Sequence, residues 1–393
     1  MRMFDADNHF YEAHDAFTRH VPRQFHKRGV QWVTLDNGHK RHLVGGKIDF
    51  QVPNPTYDPI SKPGVLREYY KGNPDGKSFG ELIRSNLEPL PAAYQDRDAR
   101  LAVMDQQGLD AAWLFPTTGV HYEQRLKHDI EALTAVHQGY NRWIEEDWGF
   151  AYQDRIFASP YITLADPEWA CREIDYVADK GARIVVVVPG PVLTKDGPRS
   201  PGDEVFDPFW ERIAETGIVV VAHVGNSGYT TNGYPDGGTI ETLGGGRKPT
   251  LSVWKMERAI CDWFSALCFD RVFERFPGVR VASVENGAVY LHDLFRMLAS
   301  LKDRYKHWFQ DDPVEVFKAH AWINPFWEDD IDEVISFMGA DHVLFGSDFP
   351  HMEGLEEPKQ IFDEIGHLSE ADQRRIVFDN AAELTGLKVP AAS

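Results

Sequence analysis

Two short stretches, one at each end of the chain, carry residue types suited to holding a metal ion. The first is Met3-Phe4-Asp5-Ala6-Asp7-Asn8-His9, a strand-like alternation in which Asp7 and His9 fall on the same face. The second is Val343-Leu344-Phe345-Gly346-Ser347-Asp348-Phe349-Pro350-His351, an apolar run that opens into a carboxylate and, three residues on, an imidazole. Between them, Val221-Ala222-His223-Val224-Gly225 and Ser283-Val284-Glu285-Asn286-Gly287 each end a buried-strand pattern on one titratable side chain. Imidazole mixed with carboxylate suits a borderline divalent ion, and a catalytic site leaves one position for water or substrate. Any one of these residues has a bland explanation, as a helix cap or a hydrogen-bonded structural histidine. Their recurrence at strand ends is the signal.

The elements that must position them are readable. Apolar runs at Met3–His9, Ala111–Pro116, Phe157–Leu164, Ala182–Pro189, Ile218–Val224, Arg280–Gly287, Ala321–Phe326 and His342–His351 alternate with amphipathic segments. Ile184 to Val188 and Ile218 to Val221 are continuously β-branched, as parallel strands buried on both faces require. Asp166-Pro167 and Asp207-Pro208 read as helix starts with Asp at the cap, and Ser369-Glu370-Ala371-Asp372 as a capping box. Eight such alternations predict an α/β protein, a (β/α)8 barrel with long βα insertion loops, forming one domain over residues 1–393. A doubly wound open sheet is the alternative, weakened by the lack of a Gly-x-Gly-x-x-Gly turn. Residues 40–93, rich in Pro, Gly, Tyr and Asn, read as an insertion or lid, and the Gly-rich stretch 226–249 as a second pocket loop.

Composition narrows the partners. The 393 residues carry 41 Lys plus Arg against 61 Asp plus Glu, a formal net charge of -20. Such a surface gains nothing from nucleic acid or an anionic membrane, so the expected partner is a small-molecule substrate. No stretch reads as a membrane span or secretory signal, and three cysteines without a Cys-x-x-Cys pair suit a reducing, cytoplasmic setting.

Asp5-Ala6-Asp7-Asn8-His9-Phe10-Tyr11-Glu12, Ala222-His223-Val224-Gly225, Val284-Glu285-Asn286-Gly287 and Phe345-Gly346-Ser347-Asp348-Phe349-Pro350-His351 together resemble the amidohydrolase superfamily. The resemblance is to its metal-dependent decarboxylase branch, which includes aminocarboxymuconate semialdehyde and resorcylate-type decarboxylases. It covers essentially the whole chain in motif order. It implies that Asp7, His9, His223 and Asp348 bind the metal, with zinc the expected ion and manganese or iron the alternatives. It also implies decarboxylation of a small aromatic or unsaturated organic acid, and a homodimer. The chain departs from the pattern twice. Asp7 stands where His or Glu is usual, and Glu285 stands where a proton-carrying His is usual.

Three catalytic residues are therefore expected: Glu285, Asp348 and His223. Beside Asp348, burial and like charge would favour a proton on Glu285, making it the donor to a departing carbon. With the same residues a metal-bound water could instead hydrolyse a C–C, ester, lactone or amide bond. Glu285, His351 and Glu12 are candidates for additional ligands or supporting groups. Were Glu285 and His351 ligands, a two-metal oxygenase would be the third reading, and a non-catalytic partner subunit the last. Arg183, Arg247, Trp254, Phe326 and Trp327 are the expected substrate-binding residues, the arginines as carboxylate clamps and the aromatics as walls for a flat substrate.

Overall fold

Valine ladders build one side of the sheet. In the computed structural model, which describes residues 1–52, 54–228 and 255–388, strand β4 (Ile184–Val187) pairs in parallel with β5 (Val219–His223). β5 pairs with β6 (Val281–Val284), and β6 with β7 (Ala321–Ile323), all in parallel. The other side is β1 (Phe4–Phe10), β2 (Ala111–Pro116) and β3 (Ile156–Ala158), again parallel and in sequence order. Single parallel bridges join the two halves. Tyr161 pairs with Val186 beyond the end of β3, Val343 pairs with Ile323, and Phe349 pairs with Asn8. Eight parallel segments thus close in chain order into a (β/α)8 barrel.

The eighth segment, residues 343–349, is not the regular strand that its apolar pattern predicts. It is tied in by Leu344 N–H donating to Ile323 O, and by Ala6 N–H and His9 N–H donating to Phe345 O and Phe349 O, each at 2.8 Å. The ladder breaks because Asp348 is left-handed (φ 54°) and the Asp5 carboxylate takes the Ser347 N–H. β3 is also shorter than predicted, since Pro160 has no N–H for the ladder; pairing resumes at Ile162 N–H to Val186 O.

Helices cover the barrel: α1 (Arg97–Gln107), α2 (Ile130–Asp147), α3 (Pro167–Asp179), α4 (Asp207–Thr216), α5 (Lys255–Phe269), α6 (Tyr290–Arg304), α7 (Ile331–Met338) and α8 (Asn380–Thr385). Asp96, Asp129 and Asp166 cap the first three by accepting from the N–H groups of Ala99, Ala132 and Trp169. Asp207 is not a cap: it is the first residue of α4, and Asp203 satisfies the preceding turn. Gly217, at φ 68°, ends α4 in the left-handed turn that a glycine adopts without strain. Among the described residues no helix is long and apolar enough to cross a membrane.

The insertion after β1 begins earlier than its composition suggests. An antiparallel sheet of Val30–Thr34, Lys40–Val44 and Lys47–Ile48 precedes the Pro- and Gly-rich part. The rest is laid against the barrel by a Tyr11–Tyr57 ring stack at 4.4 Å and by Leu66 N–H donating to Met352 O.

Candidate metal centre

β1, β5, β6 and the closing segment deliver their polar ends to one place. Asp7, His9, His223 and Glu285 each offer a ligand atom, and these atoms lie within 4.8 Å of one another. His9, Glu285, Asp348 and His351 form a second such set. His9 Nε2 stands 3.4 Å from Asp7 Oδ1, from Glu285 Oε2 and from Asp348 Oδ1. His223 Nε2 stands 3.2 Å from Glu285 Oε2 and 3.6 Å from Asp7 Oδ1. Asp7 Oδ1, His223 Nε2 and both ring nitrogens of His9 are buried without a hydrogen-bond partner. Buried polar atoms are normally paired, so a set of unpaired ones converging on a common centre fits a cation. The His223 ring is oriented for it: Nδ1 donates to Val224 O at 2.9 Å, leaving the Nε2 lone pair toward the cluster.

The electrostatics agree. Burial raises the Asp7 carboxyl, but His223 and His9 beside it outweigh this and hold it below its usual range. Burial lowers His9, yet Asp7 and Glu285 raise it to about 9. The site therefore draws a positive charge, and a metal ion would displace that proton from His9. Asp348 is pushed well above the ordinary carboxylate range by burial and by the charge of Glu285. Thr117 Oγ–H donates to Phe10 O at 2.8 Å, so its oxygen can only accept from His351 Nε2–H, 3.1 Å away. His351 therefore points its other nitrogen, Nδ1, at Asp348 Oδ1, at 2.7 Å.

Neighbouring side chains turn both carboxylates inward. Glu285 and Asp348 are left-handed, at φ 55° and 54°. Asn286 locks the first turn by donating to Ala222 O and Val284 O, both at 2.8 Å. Asp5 locks the second. It accepts from Ser347 N–H, Ser347 Oγ–H, Asn8 Nδ2 and Asp7 N–H.

Several expected residues lie elsewhere or do something else. Glu12 is no ligand. Its carboxylate accepts from Tyr57 and Tyr140 hydroxyls and from the N–H groups of Thr118 and Gly119, tying the insertion to the loop after β2. Arg183 is not inside β4 but just before it, exposed at the amino end and so on the far side of the barrel from the cluster. Phe326 and Trp327 follow β7 on the mouth side; the Phe326 ring packs on Gly287, and Trp327 Nε1 donates to Glu353 O. Arg247 and Trp254 lie outside the described residues. The sequence reading missed Asp5, Thr117, His121 and Glu353. His121, on the turn after β2, is lowered to about 4 by burial and by His223 and His9 nearby. Glu353 is raised to about 7 by burial and Glu285. Its one sequence signal is its position two residues beyond His351.

The amidohydrolase family pattern matches residues 5–387. A solved amidohydrolase from Mycobacterium avium subsp. paratuberculosis is 41% identical, with a TM-score of 0.91 over 99% of this chain and 98% of that one. A dihydroxybenzoic acid decarboxylase from Polaromonas, solved with bound manganese and an inhibitor, is 16% identical with a TM-score of 0.54, over 82% of this chain and 93% of that one. The curated 2-amino-3-carboxymuconate-6-semialdehyde decarboxylase of Dictyostelium discoideum is 27% identical over 144 residues, 34% of this chain and 38% of that protein. That match spans little more than a third of the curated relative's length. By extent of match and whole-chain likeness, the chain belongs to the amidohydrolase family.

Proposed function

We propose that the protein is a metal-dependent decarboxylase of a small aromatic or unsaturated organic acid. The observation that carries this is the buried, unpaired set of Asp7 Oδ1, His9 Nε2 and His223 Nε2 facing Glu285 and Asp348 at the barrel mouth. The decarboxylase names of the Dictyostelium and Polaromonas relatives support the reaction class. Two imidazoles with carboxylates suit zinc, the ion expected from the sequence, and equally manganese, which the Polaromonas relative holds. When bound, the ion would polarise a carboxylate or phenol oxygen of the substrate. Asp7, His9, His223 and Asp348 would hold it. As the bond to the carboxylate carbon breaks, the electron pair stays on the substrate carbon and Glu285 delivers a proton there. CO2 leaves, and solvent reprotonates Glu285. Phe326 and Trp327 wall the mouth and shield that carbon from water.

A second reading rests on the second ligand set. His9 and Glu285 are shared between two groups of four, so Asp7, His9, His223, Glu285, Asp348 and His351 together could hold two ions, with Glu285 a ligand rather than a proton donor. Metal analysis of protein purified without chelator separates the two. One zinc or manganese per chain, lost in His9→Ala and in His223→Ala, together with CO2 release from a panel of hydroxybenzoates, supports decarboxylation. Two redox metals per chain support the oxygenase, and a metal-free protein from metal-supplemented cells overturns both.

A further inference from the structure

Tyr11 continues the two-residue step that brings Asp7 and His9 into the metal centre, and it stands just past the end of β1, at the barrel mouth. It is 3% exposed, and its ring is held on three sides. Tyr57 of the insertion stacks on it at 4.4 Å between ring centroids, Tyr94 lies at 5.6 Å and His351 at 5.8 Å. The His351 ring in turn lies 4.0 Å from the ring of His9. Tyr11 N–H donates to Tyr94 O at 2.8 Å, which fixes the backbone beneath the ring. With Ala93 and with Phe349, the residue after Asp348, these tyrosines form an apolar cluster of their own, apart from the barrel core.

The hydroxyl of this held ring is unused. Tyr57, Tyr122, Tyr140 and Tyr161 are as deeply buried, and each hydrogen-bonds through its hydroxyl to another side chain. The Tyr11 hydroxyl bonds to none of the described residues, yet it is not sealed in the core. A buried phenol normally finds a partner for its O–H. A fixed ring with a free donor at the mouth therefore suits an acceptor that arrives with the substrate. Burial raises the phenol well above its usual range, and the charges of Glu353 and Asp348 act in the same direction, so the group keeps its proton and stays a donor.

We propose that Tyr11 is a substrate-binding residue, whose hydroxyl donates a hydrogen bond to an oxygen acceptor of the substrate, its carboxylate or its phenol oxygen. Tyr11 borders His351, whereas Glu285 stands against His9 and His223. The two groups therefore serve different atoms: Glu285 delivers a proton to carbon, and Tyr11 holds an oxygen in place while it does. The stack on Tyr57 makes the insertion the back wall of this donor. The inference deepens the decarboxylase reading and rests on it for the class of substrate.

Calorimetric titration of the full-length, metal-loaded protein tests it, comparing wild type with Tyr11→Phe and using benzoate, 2-hydroxybenzoate and 4-hydroxybenzoate as probes. Phe keeps the ring stack and removes only the hydroxyl. Metal content should stay at the wild-type value and the urea midpoint at or above it, because the hydroxyl bonds nothing in the protein. Affinity should fall by at least about tenfold, as loss of a hydrogen bond to a charged oxygen requires. A loss for all three probes identifies the carboxylate as the acceptor, and a loss confined to the hydroxybenzoates identifies the phenol oxygen. A smaller loss for every probe overturns the assignment. So does a reduced metal content or a lowered midpoint, which would make the hydroxyl part of the protein's own framework. If wild-type protein binds no probe more tightly with metal than after chelation, the decarboxylase reading fails and this inference with it. The two failures are distinguishable, because the second is seen in the wild type without any variant.

Discussion

Glu285→Gln separates the proton at this position from its shape. The side chain is 10% exposed, its Oε2 stands 3.2 Å from His223 Nε2 and 3.4 Å from His9 Nε2, and its backbone is held left-handed by the Asn286 side chain. Gln fills the same volume and keeps one carbonyl oxygen. It can neither donate a proton to a carbanionic carbon nor balance a cation. Loss of a positioned general acid typically costs about 10²–10⁴-fold in rate, which is about 3–5 kcal/mol of barrier at roughly 1.4 kcal/mol per tenfold. The assay is CO2 release from whichever hydroxybenzoate the wild type turns over fastest, read beside metal content per chain. Retained metal with turnover down a hundredfold or more assigns Glu285 to proton transfer. Lost metal makes it a ligand and favours the two-ion reading. A second readout is internal to the cluster. Glu285 helps raise His9 to about 9, so in the metal-free variant His9 should titrate lower. Unchanged turnover with full metal would remove Glu285 from the mechanism and refute the reasoning.

Asp5→Asn turns an acceptor of two buried donors, Ser347 Oγ–H and Asn8 Nδ2–H, into a donor facing them. At about 1–3 kcal/mol per unsatisfied buried group, the variant should lose about 2–6 kcal/mol of stability in urea, and an unchanged midpoint would show that Asp5 does not pin the closing segment. Thr117→Val removes the acceptor for His351 Nε2–H, so the ¹⁵N shifts of His351 should change tautomer pattern in Val but not in Ser; identical spectra for all three would disprove the lock. His137 is fully buried and lowered by that burial from 6.5 to about 3. Its folded value lies below its unfolded one, so it stays neutral in the fold while the unfolded chain takes up the proton. Its contribution to stability is present above pH 6.5 and lost as pH falls toward 3, at up to about 1.4 kcal/mol per pH unit. His137→Phe, which keeps a ring against Tyr161, should flatten the urea-measured stability profile between pH 6.5 and 4; an unaltered slope would place the acid sensitivity elsewhere.

What could be read from the sequence follows from what is periodic. The β-branched runs at Ile184 and Val219 gave buried parallel strands because two faces of apolar side chains permit little else. The two-residue step placed Asp7 and His9 together, and the ligand-bearing strand ends fell where barrel enzymes place chemistry. The place of Arg183 is legible on the same grounds. It stands at the amino end of an apolar run, and in a parallel barrel that end faces away from the mouth. Glu12 could not be read, since its four donors come from Tyr57, Thr118, Gly119 and Tyr140, which no local pattern links to it. His121 and Glu353 lie on irregular turns, where no period predicts the direction of a side chain.

The backbone at the two central carboxylates ties these observations together. A non-glycine residue in the left-handed region costs about 1–2 kcal/mol, and Glu285 and Asp348 are both there. Glycine would remove that cost at either position, yet each carries a carboxylate turned into the cluster. Such strain persists only where the surroundings over-determine it. Here each strained residue has a lock beside it in the chain. Asn286 is anchored across to β5, and Ser347 is held by Asp5 of β1. The locks also join neighbouring elements: β6 to β5, and the closing segment to β1. The hydrogen bonds that close the barrel at its mouth are therefore the same ones that aim Glu285 and Asp348. Loosening either lock should first move a carboxylate away from the histidines, before the sheet beneath it gives way.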